Sequence, residues 1–148
     1  MTQHQFGYKE SLFSAASAGF FFILVGAIFT YTAFVEDINL FDRVLEFFRD
    51  FEIAKVPNAD FLQLPKPEFL NRHSALYMAA TRFSLVWGIY QISILIIRMF
   101  AGSPILKKAE AASNAVFWLG TTYLISTVLI GGTRLDSSVW FGFWGQII

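Results

Sequence analysis

Between the charged pairs Lys9-Glu10 and Glu36-Asp37 lies a stretch, residues 11–35, without a single charged side chain and with Leu, Ile, Phe or Val at 12 of its 25 positions. A helix rises 1.5 Å per residue, so about 20 apolar residues cross the roughly 30 Å hydrocarbon core of a bilayer. At about −0.3 to −0.6 kcal/mol for each of those four residue types near the bilayer centre, insertion gains about −4 to −7 kcal/mol, part of which the Ser, Thr, Tyr and Gly residues return. A signal peptide has its small residues after the apolar block, whereas here Ser14 to Gly19 precede Phe20 to Val25. The pattern predicts a membrane-spanning helix over 11–35.

Residues 74–98 repeat the pattern with ten Leu, Ile, Phe and Val residues and one charge well inside, Arg82. A charge at the helix centre costs about 2.5 to 3.5 kcal/mol on the insertion scale, which the apolar residues outweigh. Arg82 also lies near the start of the span, and helical side chains point back toward the N-terminal end, so it reaches the interface by snorkelling. The alternative is that Arg82 turns inward and pairs with a carboxylate from the same side, Glu36 or Asp136. A third span is expected over 111–132, after the turn Gly102-Ser103-Pro104. Residues 138–148 are uncharged and hold Trp140 and Trp144, but as helix they reach only about 16 Å. They read as a partial or truncated fourth span.

From Glu36 onward the period changes. A helical wheel over 37–55 gathers Ile38, Phe41, Val44, Leu45, Phe48 and Phe51 on one arc and Asp42, Arg43, Glu46, Arg49 and Asp50 on the other. This predicts an amphipathic helix along a boundary. Its acids outnumber its bases, so its phenylalanine face on lipid or on the other helices holds it, not attraction to anionic lipid. Val56 to Arg72 contains Pro57, Pro65 and Pro67 and reads as a connector, since each proline pushes its predecessor toward extended backbone. The fold class that follows is all-α: a polytopic membrane helical bundle of three full spans plus the partial fourth, with one amphipathic interfacial helix. It forms a single membrane domain over 1–148, with 36–72 outside the bilayer.

Composition narrows the function. The chain has 148 residues, 55% of them hydrophobic, 15% charged, and no net charge, so no long-range field recruits nucleic acid. Cysteine is absent, which removes disulfides and thiolate chemistry. The three full spans hold no Asp, Glu or His, the residues that proton and ion relays leave inside a membrane. His4 and His73 lack a second ligand at helical spacing, so no haem or metal site is expected and no cofactor is implied. His73 reads as a residue of a helix cap or of the interface. No phosphate-binding loop or catalytic elbow occurs.

In lipid, helices associate through close packing, which small residues four apart permit. Ser14 and Ala18, Ala15 and Gly19, and Gly26 and Thr30 have that spacing. Ser14, Ala18, Gly19 and Gly26 are thus the candidate helix-packing residues, although an Ala- and Ser-rich stretch also produces the spacing by chance. Arg82, Glu36 and Asp136 are the candidate functional or ion-pair residues. The expected function is a non-enzymatic accessory or assembly subunit, whose partners are the lipid bilayer and either copies of itself or a larger membrane complex. The rival is an oligomeric small transporter or channel built around Arg82, Tyr90, Gln91 and the hydroxyls of the spans. A third reading is a lipid-acting enzyme using Arg82 and His73. The density of bases in the turn at Arg98 to Glu110 places the N-terminus in the cytoplasm of a cell with the protein in its plasma membrane.

Overall fold

In the computed structural model, residues 3–57, 59–132 and 136–147 are described. Three helices are long and apolar enough to cross a membrane. The first, α1 (Gln3–Val35), has 33 residues and begins well before residue 11, because nothing in its lead-in breaks a helix and each added residue brings one more hydrogen bond. It ends where Asp37 takes a left-handed φ of 53°, a conformation that Asp tolerates better than most residues. There Ile38 N–H donates to the Thr32 carbonyl at 3.0 Å.

Two short elements follow outside the spans. Helix α2 (Leu40–Arg49) is capped by Asn39, whose side chain accepts from the backbone N–H groups of Phe41 and Asp42. It ends at Arg49 with Asp50 as its C-cap, so it is shorter than the expected 37–55 by three residues at its start and six at its end. Next come β1 (Phe51–Val56) and β2 (Ala59–Pro67), an antiparallel pair with Phe51 opposite Pro67 and Ile53 opposite Pro65. The chain is therefore mostly helical with a small two-stranded sheet, not purely all-α, and the connector 56–72 is largely strand. The reason is visible in the residues. A two-stranded ladder leaves every second N–H turned outward, and Pro65 and Pro67, two apart, occupy positions of the same parity, where no donor is required.

A 3₁₀ turn (Leu70–His73) leads into α3 (Ser74–Phe100). At its far end Gly102 has φ 70° and Ser103 N–H returns to the Arg98 carbonyl at 3.1 Å, a Schellman closure with glycine where the backbone is left-handed. Pro104, with φ −56°, presets the start of α4 (Ile105–Leu124), six residues earlier than the expected 111. Helix α4 continues into a π-helical segment, Ile125–Ile130, and α5 (Ser137–Ile147) closes the chain with 11 residues. The turn 101–104 lies at one end of the bundle; α2, the hairpin and α5 lie at the other.

Helices α3 and α4 pack through small residues: Ser84 and Gly88 on α3, and Ala111 and Ala115 on α4, where Ser84, Ala111 and Ala115 are buried. A methyl added at Gly88 would sit 2.8 Å from Leu119 Cδ2 and 3.3 Å from the Leu119 backbone nitrogen. Helix α1 meets α3 through rings. Phe20 stacks on Tyr90 at 4.1 Å, Phe21 meets Phe83 and Trp87 edge-on, and the hydroxyls of Ser17 and Tyr90 lie 3.1 Å apart. Beneath the cap, Leu70, Tyr77, Ile125, Leu129, Trp140 and Phe143 form the buried core.

This packing makes two glycines behave oppositely. Gly88→Ala gains about 1 kcal/mol of helix propensity but overpacks for about 1–3 kcal/mol, a net loss of about 1 kcal/mol. Gly19→Ala meets nothing within 4 Å and is expected to be neutral or stabilising. Unfolding of the two variants in mixed micelles, followed by helical circular dichroism, checks the contrast; equal stabilities would contradict the α3–α4 contact.

Candidate functional site

The hairpin does for the cap what a disulfide does elsewhere: it returns the chain to its starting point. With Phe51 opposite Pro67, residue 68 lies beside residue 50, and Glu68 N–H donates to the Asp50 carbonyl at 2.8 Å. The 3₁₀ turn then carries His73 onto Asp50. His73 Nε2 lies 2.8 Å from Asp50 Oδ2, and Phe69 N–H donates to the same oxygen at 3.2 Å. His73 is only 2% exposed and Phe47 meets its ring edge-on at 5.0 Å. The hydrogen bond from His73 holds the Asp50 carboxyl below the ordinary carboxylate range, partial burial opposing it. Since the Asp50 carboxylate can only accept, Nε2 is the donor in this contact. His73 Nδ1 and, one turn on, Tyr77 Oη are buried with no hydrogen-bond partner.

Tyr77 and Phe47 also line a cavity of about 310 Å³ between α3, α4 with its π segment, and α5. Every surface presented to it is carbon. Trp140 and Trp144 wall one side, and the Trp140 indole N–H donates to the Pro65 carbonyl at 3.3 Å, tying α5 to the hairpin.

Arg82 and Glu36 are brought together. Arg82 Nη2 donates to Glu36 Oε1 at 2.5 Å, and the guanidinium lies 5.0 Å from the centre of the Tyr31 ring. That hydrogen bond holds the Glu36 carboxyl below its ordinary value. Asp136 is engaged elsewhere. Its Oδ1 accepts from the backbone N–H groups of Ser138 and Val139 at 2.9 and 3.0 Å, at the start of α5. The adjoining positions 133–135 fall outside the described residues. A second charged contact between α1 and α3 lies at the opposite end of the helix pair. Arg98 Nη2 is 3.2 Å from Glu10 Oε2, its Nη1 donates to the Lys107 carbonyl, and Phe13 lies under its guanidinium at 5.6 Å. The Glu10 contact is close in distance but misaligned as a hydrogen bond.

Ser14, Ala18, Gly19 and Gly26 are all exposed on α1, and no atom comes within 4 Å of a Cβ built on either glycine. They face away from α3. The chain's own close packing uses Ser84, Gly88, Ala111 and Ala115 instead.

Asp50, Tyr77 and the Glu10–Arg98 contact escape a sequence reading because each joins residues far apart along the chain. Among the described residues no group of three or more His, Cys, Asp or Glu side chains is placed to hold a metal ion. Compared with protein families, curated proteins and solved structures, the chain matches none of them.

Both depressed carboxyls make stability depend on pH in one direction. A carboxylate held down in the folded state contributes stability above its ordinary value, 4.5 for Glu36 and 3.8 for Asp50, and loses it as pH falls through the lower folded value. The melting temperature in detergent is therefore expected to show no contribution from these groups between neutrality and about pH 5, and a fall below it. The double variant Glu36→Gln, Asp50→Asn should melt lower at neutral pH and fall less steeply in acid. A variant whose acid profile superimposes on the parent would overturn this assignment.

Proposed function

We propose that the protein is a non-enzymatic membrane subunit that assembles with a further transmembrane helix, from a second copy or from a larger complex, along the outward face of α1. The observation supporting this reading is that Ser14, Ala18, Gly19 and Gly26 share a helix that the rest of the chain barely covers. Among the described side chains of α1, only Leu24 and Thr32 are buried. Without a hydrophobic driving force between helices in lipid, small residues at an uncovered face are the feature that lets a second backbone come close. Arg82, which a pore reading needs free, is engaged by Glu36 and Tyr31, and this favours assembly over transport. The density of bases in the turn at Arg98 to Glu110 favours an N-terminus on the cytoplasmic side of a cell membrane.

Mass measurement after gentle detergent extraction tests the reading. The parent chain is expected as an oligomer or in a complex, and Ser14→Leu with Gly19→Leu is expected to release it as a single chain with unchanged helicity. Val116→Leu, at an exposed position of α4, should leave the assembly intact. A parent protein that runs as a lone chain, or a double leucine variant that still assembles, would refute it.

A further inference from the structure

Helix α2 has three sides, and the bundle uses only one of them. Leu40, Val44 and Phe47 turn toward the spans; Leu40 is buried, and Val44 and Phe47 are half-buried. On a wheel of about 100° per residue, Asp42, Arg43, Glu46 and Arg49 lie about 140° from that side in one direction, and Phe41, Leu45 and Phe48 lie about 100° from it in the other. These three are 58%, 38% and 66% exposed, and their spacing of four and then three residues makes them one stripe. Packing on the bundle needs one apolar stripe; α2 carries two.

The depth of α2 says what covers the second stripe. Leu40 and Val44 line a crevice with Val25, Ile28 and Phe29 of α1 and with Ala79 and Phe83 of α3. The first span, Glu10–Val35, has its midpoint between Phe22 and Ile23. In a bilayer centred on that span, Val25 to Phe29 stand about 4 to 10 Å from the mid-plane, within the roughly 15 Å of one leaflet. At its other end α2 meets His73, just before α3 begins, through Asp50. The helix therefore lies alongside the outer turns of α1 and α3, not above them, and hydrocarbon is what surrounds the uncharged flank of α1 at that level. The charged side of α2 is self-contained. Glu46 pairs with Arg43 at 2.8 Å and with Arg72 at 3.0 Å, and the two acids and two bases of α2 leave no net attraction to a charged headgroup.

We propose that α2 is an anchor sunk into one leaflet: Phe41, Leu45 and Phe48 lie among the acyl chains, and the charged side lies at the headgroups. Its partner is the hydrocarbon of the bilayer, whatever charge the headgroups carry, because phenyl and isobutyl side chains have no polar handle with which to select one. The stripe belongs to a different helix from the outward face of α1, so it stands whether or not the chain assembles there.

The chain has no cysteine, so single substitutions place one nitroxide at a time on the full-length protein. Phe41→Cys, Leu45→Cys and Phe48→Cys probe the stripe, and Asp42→Cys and Arg49→Cys the charged side, each labelled and reconstituted in phosphatidylcholine vesicles. Collisions are measured with oxygen, which concentrates in hydrocarbon, and with a neutral nickel chelate, which stays in water. On the stripe, oxygen collisions are expected to exceed nickel collisions several-fold; at Asp42 and Arg49 the order should reverse, and added phosphatidylglycerol should change neither. Stripe labels that meet the chelate as readily as the label at Asp42 would place α2 in water and overturn the proposal. Labels shielded from both reagents would show a protein partner on the stripe and overturn it too. So would an oxygen preference that appears only with the anionic lipid.

Discussion

Two contacts between opposite charges, one at each end of the helix pair, fix how α1 lies against α3. Glu36 meets Arg82 at the end that carries the cap, and Glu10 meets Arg98 at the other. Each guanidinium also lies over an aromatic ring of α1, Tyr31 or Phe13. Between them the helices touch through aromatic rings and one hydroxyl pair, contacts that tolerate sliding better than a charge at the edge of hydrocarbon does. An unpaired arginine at that depth is costly, so the register with both arginines matched is the one retained. Once α1 is fixed, α2 is delivered to the start of α3, and the cap follows.

The cap is a closed circuit of short elements. Asn39 starts α2, Asp50 ends it, the hairpin reverses the chain, and the 3₁₀ turn brings His73 back to Asp50. Each element alone is too short to persist; a two-stranded hairpin and a ten-residue helix are both marginal in water. They hold because Leu40, Leu70 and Pro67 are buried beneath them and because Asp50 is met by Glu68, Phe69 and His73 of the returning chain. Two polar atoms, His73 Nδ1 and Tyr77 Oη, remain buried beneath it without a partner.

The two packing surfaces of the molecule use the same residue types to different ends. On α3 and α4, small residues meet within the chain, and Gly88 lets the helices approach until a methyl would strike Leu119. On α1, equally small residues face out. Sequence spacing alone does not separate these cases, since both patterns are small residues repeating about every four positions. What separates them is which side of each helix the charged and aromatic contacts have already claimed.

Long uncharged stretches were enough to identify the three helices that suit a membrane, because the cost of exposing backbone and charge to hydrocarbon is local and additive along a helix. The same locality made the amphipathic character of α2 readable, and left Glu36 or Asp136 as partners for Arg82. Which carboxylate lies beside Arg82 was decided by tertiary structure: Glu36 follows the end of α1, while Asp136 is taken up with the N–H groups of α5. The hairpin was hidden because three prolines read as a connector until register shows two of them at positions that need no donor. The Asp50–His73 contact and the carbon-walled cavity between α3, α4 and α5 join residues distant in the chain, and no periodicity records such a distance. Local solvation is written in the order of residues; long-range pairing is written only in the way the chain returns.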